Sequence, residues 1–350
     1  MHEPIDTLWG LLEHYSPSCH ESEAANWLVS HMKELGFTQS YLDAVGNPIG
    51  IIGEGEKEII FLGHIDTVEG EIELRRDGDL LYGRGAVDAK GPLATFVQAL
   101  TRLGPIPGWK MIVIGAIGEE KDSVGARSIV DQYQPNFVVI GEPSNWKRIT
   151  IGYKGSAKHE LYISKDRFHS ARSNDNACEA AFQIWDRIKQ WTMQFNANED
   201  QLFNQLQVSL QGFISGEQTF HDWSKLSISA RLPLQISPEE YFQALSKICK
   251  PYTIEEMSDA IPAYLAPKNT PLVRSFLAGI RELGEKPGFV RKTGTADMNI
   301  VAPVWGCPTI AYGPGDSSLD HTPHENISIQ EYENAIQVII HSIKKLVKQL

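Results

Sequence analysis

Ile59-Ile60-Phe61-Leu62-Gly63-His64-Ile65-Asp66-Thr67-Val68 is the stretch on which the fold turns. Four apolar residues in a row fit a strand covered on both faces, and the glycine after them lets the chain leave the sheet at a histidine and an aspartate. The same grammar returns twice. Met111-Ile112-Val113-Ile114-Gly115-Ala116-Ile117 runs into Gly118-Glu119-Glu120, and Phe137-Val138-Val139-Ile140 runs into Gly141-Glu142-Pro143. Strands that each deliver a polar residue beyond their C-terminal end define one working edge of an α/β sheet.

Two further segments complete an ordered series of acids and histidines. Gly83-Arg84-Gly85-Ala86-Val87-Asp88-Ala89-Lys90-Gly91-Pro92 puts Asp88 between a glycine-permitted loop and a helix whose first turn accepts Pro92. Asp88 there suits a helix N-cap as well as a metal. Asp320-His321-Thr322-Pro323-His324-Glu325 offers two histidines, and spacing alone does not choose between them. Alternation sets His64 and Asp66 on one face, so that the carboxylate can accept the second ring N–H and fix the tautomer. Glu119 and Glu120, being adjacent, point differently, so one can bind metal while its neighbour faces solvent and substrate. Carboxylate-rich sets sharing one acid suit a pair of divalent cations, with a spare glutamate to move a proton.

The bulk composition fits this reading. With 350 residues, 42% of them hydrophobic, the chain has enough material for one large or two moderate domains. A formal charge of −12 and a pI near 5.4 argue against nucleic acid or an anionic membrane as the main partner. No run approaches the roughly 20 apolar residues of a membrane span. The acidic start, Met1 to Asp6, lacks the pattern of a signal peptide, which makes the cytoplasm the expected location. Cys19, Cys178, Cys249 and Cys307 stand far apart and form no CxxC, so they are expected to be reduced packing residues.

Hydrophobic periodicity predicts helices near 21–35, 91–103 and 124–133 among the strands already named, with a further strand at 49–52. Beyond about residue 158 the rhythm changes to strand 159–163, helix 176–195, strands 206–210 and 226–231, helix 238–249 and a strand near 260–266. That β-α-β-β-α-β order is a ferredoxin-like unit. An α/β pattern then resumes with a helix near 271–283, a strand at 308–312 and a closing helix at 330–347. The expected architecture is an α/β, mixed-sheet domain (1–157 and 265–350) carrying an inserted ferredoxin-like α+β domain (158–264).

The segments GHIDTV (63–68), GRGAVDAKG (83–91), GEE (118–120), GEP (141–143) and HTPHE (321–325), in this order, make the chain resemble the dinuclear-zinc deacylase and exopeptidase family that includes acetylornithine deacetylase, succinyl-diaminopimelate desuccinylase and carboxypeptidase G. The resemblance covers essentially the whole chain. It implies that His64, Asp88 and Glu142 hold one metal ion and Asp88, Glu120 and His321 a second, His321 being chosen over His324 because the family's ligand precedes a glutamate by four positions. It also implies two divalent ions per subunit, Zn²⁺ first with Co²⁺ as a substitute. Glu119 is then the general base and Asp66 orients His64. The insertion resembles the family's lid and dimerisation domain, implying a homodimer in which His169 reaches the neighbouring subunit's site to stabilise an oxyanion. Arg231 matches a strand arginine that can clamp a substrate carboxylate.

Lys292-Thr293-Gly294-Thr295-Ala296-Asp297-Met298-Asn299 is a loop entering a short helix, where Gly294 and Thr295 can receive an α-carboxylate. This segment, with Gly313-Pro314-Gly315-Asp316, is similar to one subgroup of the family. Its members release lysine or ornithine from the terminal glutamate γ-carboxyl of an acidic amino-group carrier protein, in lysine and sometimes arginine biosynthesis. The resemblance thus implies a carrier protein as partner, and Lys154, Lys158, Lys165, Arg167 and Arg172 are the candidate docking cations. The rival expectations are a deacetylase of free acetylornithine or acetyl-lysine and a metal-stabilised binding protein without catalysis.

Overall fold

The structure is a computed structural model describing residues 3–167 and 175–349. The chain folds into two compact units: Met1–Gly152 with Ala266–Arg291 and Ala296–Leu350, and Tyr153–Leu265 with Lys292–Thr295. The first boundary falls a few residues ahead of 158 for a packing reason. The strand Gly155–Asp166 pairs from its first residue with Leu232, and Ala157 lies in the second unit's core.

In the first unit the main sheet runs in the order Gln39–Leu42, Pro48–Ile52, Trp109–Ala116, Lys57–His64, Phe137–Gly141, Thr309–Ala311, Arg148–Tyr153. Lys57–His64 lies in the middle. Its residues Ile59 to Leu62 are fully buried, as the unbroken apolar run requires. It pairs in parallel with both Trp109–Ala116 and Phe137–Gly141, and Gly63 is opposite Gly115 on one side and Gly141 on the other. This shared register aligns the three C-terminal ends, so the residues that follow emerge along one edge. Gly141 is required there, because a Cβ would come within 2.8 Å of the Phe96 ring and 3.0 Å of the Gly63 Cα. Phe96 belongs to the helix Lys90–Leu103, which covers the sheet. Lys90 itself is buried and donates to the carbonyls of Leu11 (3.0 Å) and His14 (2.8 Å), tying the helix Pro4–Glu13 to this layer.

A second, three-stranded sheet orders Asn326–Ser328, Leu80–Tyr82 and Arg75–Asp77, with Ile327 opposite Leu81. It joins the segment after His321 to the strand before Asp88. Periodicity gave no warning of it, since three-residue strands carry almost no pattern.

The inserted unit has the strand order Gln207–Glu217, His221–Leu232, Gly155–Asp166, Ile254–Glu256, all antiparallel, which is the ferredoxin-like arrangement. Its helices Ala177–Phe195 and Pro238–Cys249 start with capping boxes, Asn176 with Glu179 and Ser237 with Glu240. The fourth strand of this sheet is Ile254–Glu256, where Ile254 packs into the core and pairs with Leu161; the strand expected at 260–266 is present as Tyr264–Leu265 but lies outside the four-stranded sheet. No helix among the described residues is long and apolar enough to cross a membrane. The four cysteines are free.

His159 is an anomaly in this second core. It is buried against the rings of Tyr241 and Phe242, and neither ring nitrogen has a hydrogen-bond partner among the described residues. Burial pushes its pKa down to about 4, from 6.5 in an exposed chain. The unfolded chain therefore binds a proton through that interval while the folded one does not, so stability falls as pH drops from about 6.5 towards about 4. His159→Phe should remove this component. Thermal melts of both proteins near pH 7 and near pH 5 check it, the variant losing less of its Tm on acidification.

Candidate metal centre

His64 closes its strand. Its Nδ1 lies 2.9 Å from the backbone carbonyl of Asp66 and 3.5 Å from that residue's carboxylate. The carbonyl is the closer partner, and the carboxylate expected from the sequence stands beside it. Nε2 then faces Asp88 Oδ1 at 3.2 Å. The Asp66 carboxylate has other work: it accepts the backbone N–H of Glu119 at 3.0 Å, that of Glu120 at 3.1 Å, and the Ser18 hydroxyl at 2.7 Å. One buried side chain thereby fixes the glutamate pair on the neighbouring strand end. The turn that delivers the pair begins at Gly118, whose φ of +70° is a conformation that suits glycine.

Asp88 is not a helix cap; Ala89 occupies that position. Its two oxygens are divided between histidines from distant parts of the chain, Oδ1 towards His64 and Oδ2 towards His321 Nε2 at 3.1 Å. His321 Nε2 also lies 2.9 Å from Glu120 Oε1. His324 is exposed and belongs to the turn, where its N–H donates to Thr322. Glu325 is fully buried and holds Asp88 from behind: Oε1 accepts the N–H groups of Val87 (2.9 Å) and Asp88 (3.0 Å), and Oε2 accepts from Arg84 (2.9 Å). Glu142 is buried at the end of Phe137–Gly141, and its charge raises the pKa of Glu119.

The electrostatics of this cluster call for positive charge. Burial works to lower the His64 pKa, yet hydrogen bonds to Asp66 and Asp88 and the charge of Glu119 carry it well above the ordinary histidine value. Hydrogen bonds to Asp88 and Glu120 raise His321 to about 10. Burial would raise Asp88, but both imidazoles hold it below the usual carboxylate range. Glu119 is pushed well up by burial and by the charges of Asp297, Glu142 and Glu120, with His64 opposing. Oxygen and imidazole atoms of His64, Asp88 and Glu120 lie within 4.8 Å of one another, a hard donor set that suits a divalent cation. Asp88, with one oxygen towards each histidine, has the geometry of a bridge.

Asp297 received no role from the sequence. It is buried beside this cluster, accepts from the Ser123 side chain, and is raised to about 7 by burial, with the charge of His64 opposing. The KTGTADMN segment contained it, but nothing in the segment marked the acid as buried.

In the inserted unit Arg231 Nη1 donates to Thr295 Oγ1 at 3.0 Å, and that hydroxyl donates to the Lys154 carbonyl at 2.9 Å. Gly294 lies in the same connecting segment, with open space around its Cα. Lys154, expected among docking cations, is fully buried, with its ammonium on the carbonyls of Leu202 and Gln205 and the amide oxygen of Gln207. Arg167 pairs with Glu217 and Lys165 donates to the Asp175 carbonyl. His169 and Arg172 lie outside the described residues.

Comparison with known proteins adds a family. The model of Peptidase family M20/M25/M40 matches residues 60–345. A relative from Deinococcus radiodurans, named [LysW]-lysine hydrolase, is 38% identical over 343 residues, covering 95% of this chain and 94% of its own. A relative from Sulfurisphaera tokodaii, named [LysW]-lysine/[LysW]-ornithine hydrolase, is 30% identical over 344 residues, covering 97% and 95%. Among solved structures, a tripeptidase from Staphylococcus aureus superposes with a TM-score of 0.81 at 18% identity, covering 99% of this chain and 98% of that one.

Glu325→Gln keeps the shape but weakens the bond to Arg84 and the pull on the Asp88 amide. Expected is a loss of divalent-metal affinity of roughly 10- to 100-fold. Competition with a chelating dye checks it, and circular dichroism should report an unchanged fold.

Proposed function

The chain belongs to Peptidase family M20/M25/M40, and from that premise we propose that it is a metal-dependent amide hydrolase. Its substrate in this reading is an amino-group carrier protein of the LysW type bearing lysine or ornithine, and its product is the free amino acid. The observation that carries the catalytic half is Asp88, whose two oxygens address His64 and His321 separately. The substrate half is supported by relatives with lysine- and ornithine-hydrolase names that match over nearly the whole chain.

In this proposal His64, Asp88 and Glu142 hold one ion, and Asp88, Glu120 and His321 the other, zinc foremost with cobalt as a substitute. Two such ions lower the pKa of water and polarise the amide carbonyl. Glu119 takes a proton from the attacking water and delivers it to the leaving α-amino nitrogen. Its carboxyl keeps its place because Asp66 fixes the backbone N–H groups of Glu119 and Glu120. Arg231, braced by Thr295, offers a guanidinium to a substrate carboxylate. Gly294 and Thr295 lie on the loop assigned to the same carboxylate. His169 stabilises the oxyanion from a partner subunit of a homodimer. A biosynthetic role for lysine, and for arginine where ornithine is released, agrees with a cytoplasmic enzyme whose cysteines are free.

Glu119→Gln should retain bound metal while losing about 10²- to 10⁴-fold in kcat; turnover near wild type would refute its role as base. Carrier-linked lysine and ornithine should be turned over in preference to free acetyl-lysine and acetylornithine, and the reverse preference would favour a small-molecule deacetylase. A chelator should abolish activity and lower the Tm, with zinc restoring both. Unchanged values after dialysis against chelator would remove the metal from the mechanism.

A further inference from the structure

The turn that carries Glu119 is held from outside by side chains. Four consecutive backbone N–H groups lead into the glutamate pair, and a side-chain oxygen accepts each of them. Asn47 Oδ1 takes Ile117 at 3.0 Å, Glu21 Oε1 takes Gly118 at 3.1 Å, and the two Asp66 oxygens take Glu119 and Glu120 at 3.0 and 3.1 Å. The carbonyls serve the turn itself: that of Gly118 accepts from Lys121, Asp122 and Ser123, and that of Ile117 from Gly125. Gly118, with φ +70°, is the pivot at which the chain leaves the strand. The bond to its N–H therefore bears on the direction the turn takes.

Glu21 is an unexpected residue to find making that bond. It stands at the N-cap of the helix Ser22–Glu34, yet its side chain makes no capping bond there. Asp, Asn, Ser and Thr are the residues that favour this position, and Glu is not among them. Its carboxylate is instead buried, with Oε1 shared between the N–H of Cys19 at 3.0 Å, two residues back, and that of Gly118, 97 residues on. Burying an acid is costly unless N–H groups bond it, and here it is buried beside a turn that already carries two more acids. The local helix gains nothing from this arrangement. What gains is the position of Gly118. The same short segment also reaches the neighbouring hold, since the Ser18 hydroxyl donates to Asp66 Oδ2 at 2.7 Å.

We infer that Glu21 is a positioning residue for Glu119. By fixing the Gly118 amide it sets the path of the turn, and with it the place of the carboxylate one residue on. The inference rests on the reading of Glu119 as the base. A general base must sit within hydrogen-bond reach of the proton it takes, and a misplacement of about 1 Å can cost about 100-fold in rate. The effect belongs in kcat. Bound metal should stay at the wild-type amount, because four of the five proposed ligands, His64, Asp88, Glu142 and His321, lie off this turn.

The test compares Glu21→Asp with Glu21→Gln, each alone and combined with Glu119→Gln, on whichever of carrier-linked lysine and free acetyl-lysine the wild type turns over faster. Glu21→Asp keeps the charge and supplies a favoured cap, but draws the oxygen back by one methylene. Expected is a Tm at or above wild type, with kcat lower by about 10- to 100-fold and KM and metal content unchanged. Glu21→Gln keeps the reach and an acceptor oxygen, and should retain most of the kcat. In the Glu119→Gln background Glu21→Asp should cost nothing further, because groups that act as a unit are not additive. A wild-type kcat in Glu21→Asp would overturn the inference and leave Glu119 as base. So would an equal further loss in the Glu119→Gln background, which would mark general structural damage, or a Glu21→Gln variant as impaired as Glu21→Asp. A wild type active on neither substrate, or a fully active Glu119→Gln, would instead overturn the reading of the base and this inference together.

Discussion

The Glu325 carboxylate is the point on which the centre hangs. It is fully buried and ties together residues 237 positions apart, accepting from the Asp88 amide, the Val87 amide and the Arg84 guanidinium. A buried ion pair is a poor source of net stability, because desolvation offsets much of the attraction. Here the backbone N–H groups add charge-assisted bonds, and the geometric return is specific. The bond draws the His321 segment against the loop that presents Asp88. The small sheet pairing Ile327 with Leu81 holds the same two segments just beyond it. Without that closure His321 would have no reason to meet Asp88.

A second restraint acts from the main sheet. Parallel register brings His64, the Glu119-Glu120 pair and Glu142 out at one edge, but edge position alone leaves side chains free to spread. Asp66 limits that freedom by holding two backbone N–H groups of the adjacent strand end. The resulting concentration of carboxyls is costly by itself, which is why Glu119 and Asp297 are driven to hold protons while His64 and His321 are driven to keep them. These shifts, all upward, express one deficit of positive charge. A pair of divalent cations held by these residues would relieve it.

Much of this was legible in the sequence because it depends on period and order. Apolar runs ending in glycine and an acid announce strand ends, and a change from α/β rhythm to β-α-β-β-α-β announces an insertion. What escaped depends on partners remote in the chain. The Asp66 carboxylate stands 3.5 Å from His64, the partner expected two residues away, but its further backbone partners lie more than fifty residues on. Lys154 looked like a surface cation, yet three oxygens from 202–207 enclose it. The range 260–266 does hold a short strand, Tyr264–Leu265, but the fourth strand of the inserted sheet is Ile254–Glu256, since a three-residue edge strand is set by the Leu161 opposite it rather than by its own pattern.

The two units also divide two kinds of physical task. A parallel sheet buried on both faces is stiff and poorly exposed, which suits acids and imidazoles that must be held to fractions of an ångström. An antiparallel sheet with helices on one face leaves the other open, and in the inserted unit that face mixes Lys158, Glu160, Lys225, Ser227 and Ser229 with the stacked rings of Tyr162 and Trp223. An apolar face would have needed a permanent cover. The alternation of these strands gives the unit its core on one side and leaves the other side largely polar, at no expense to its own packing.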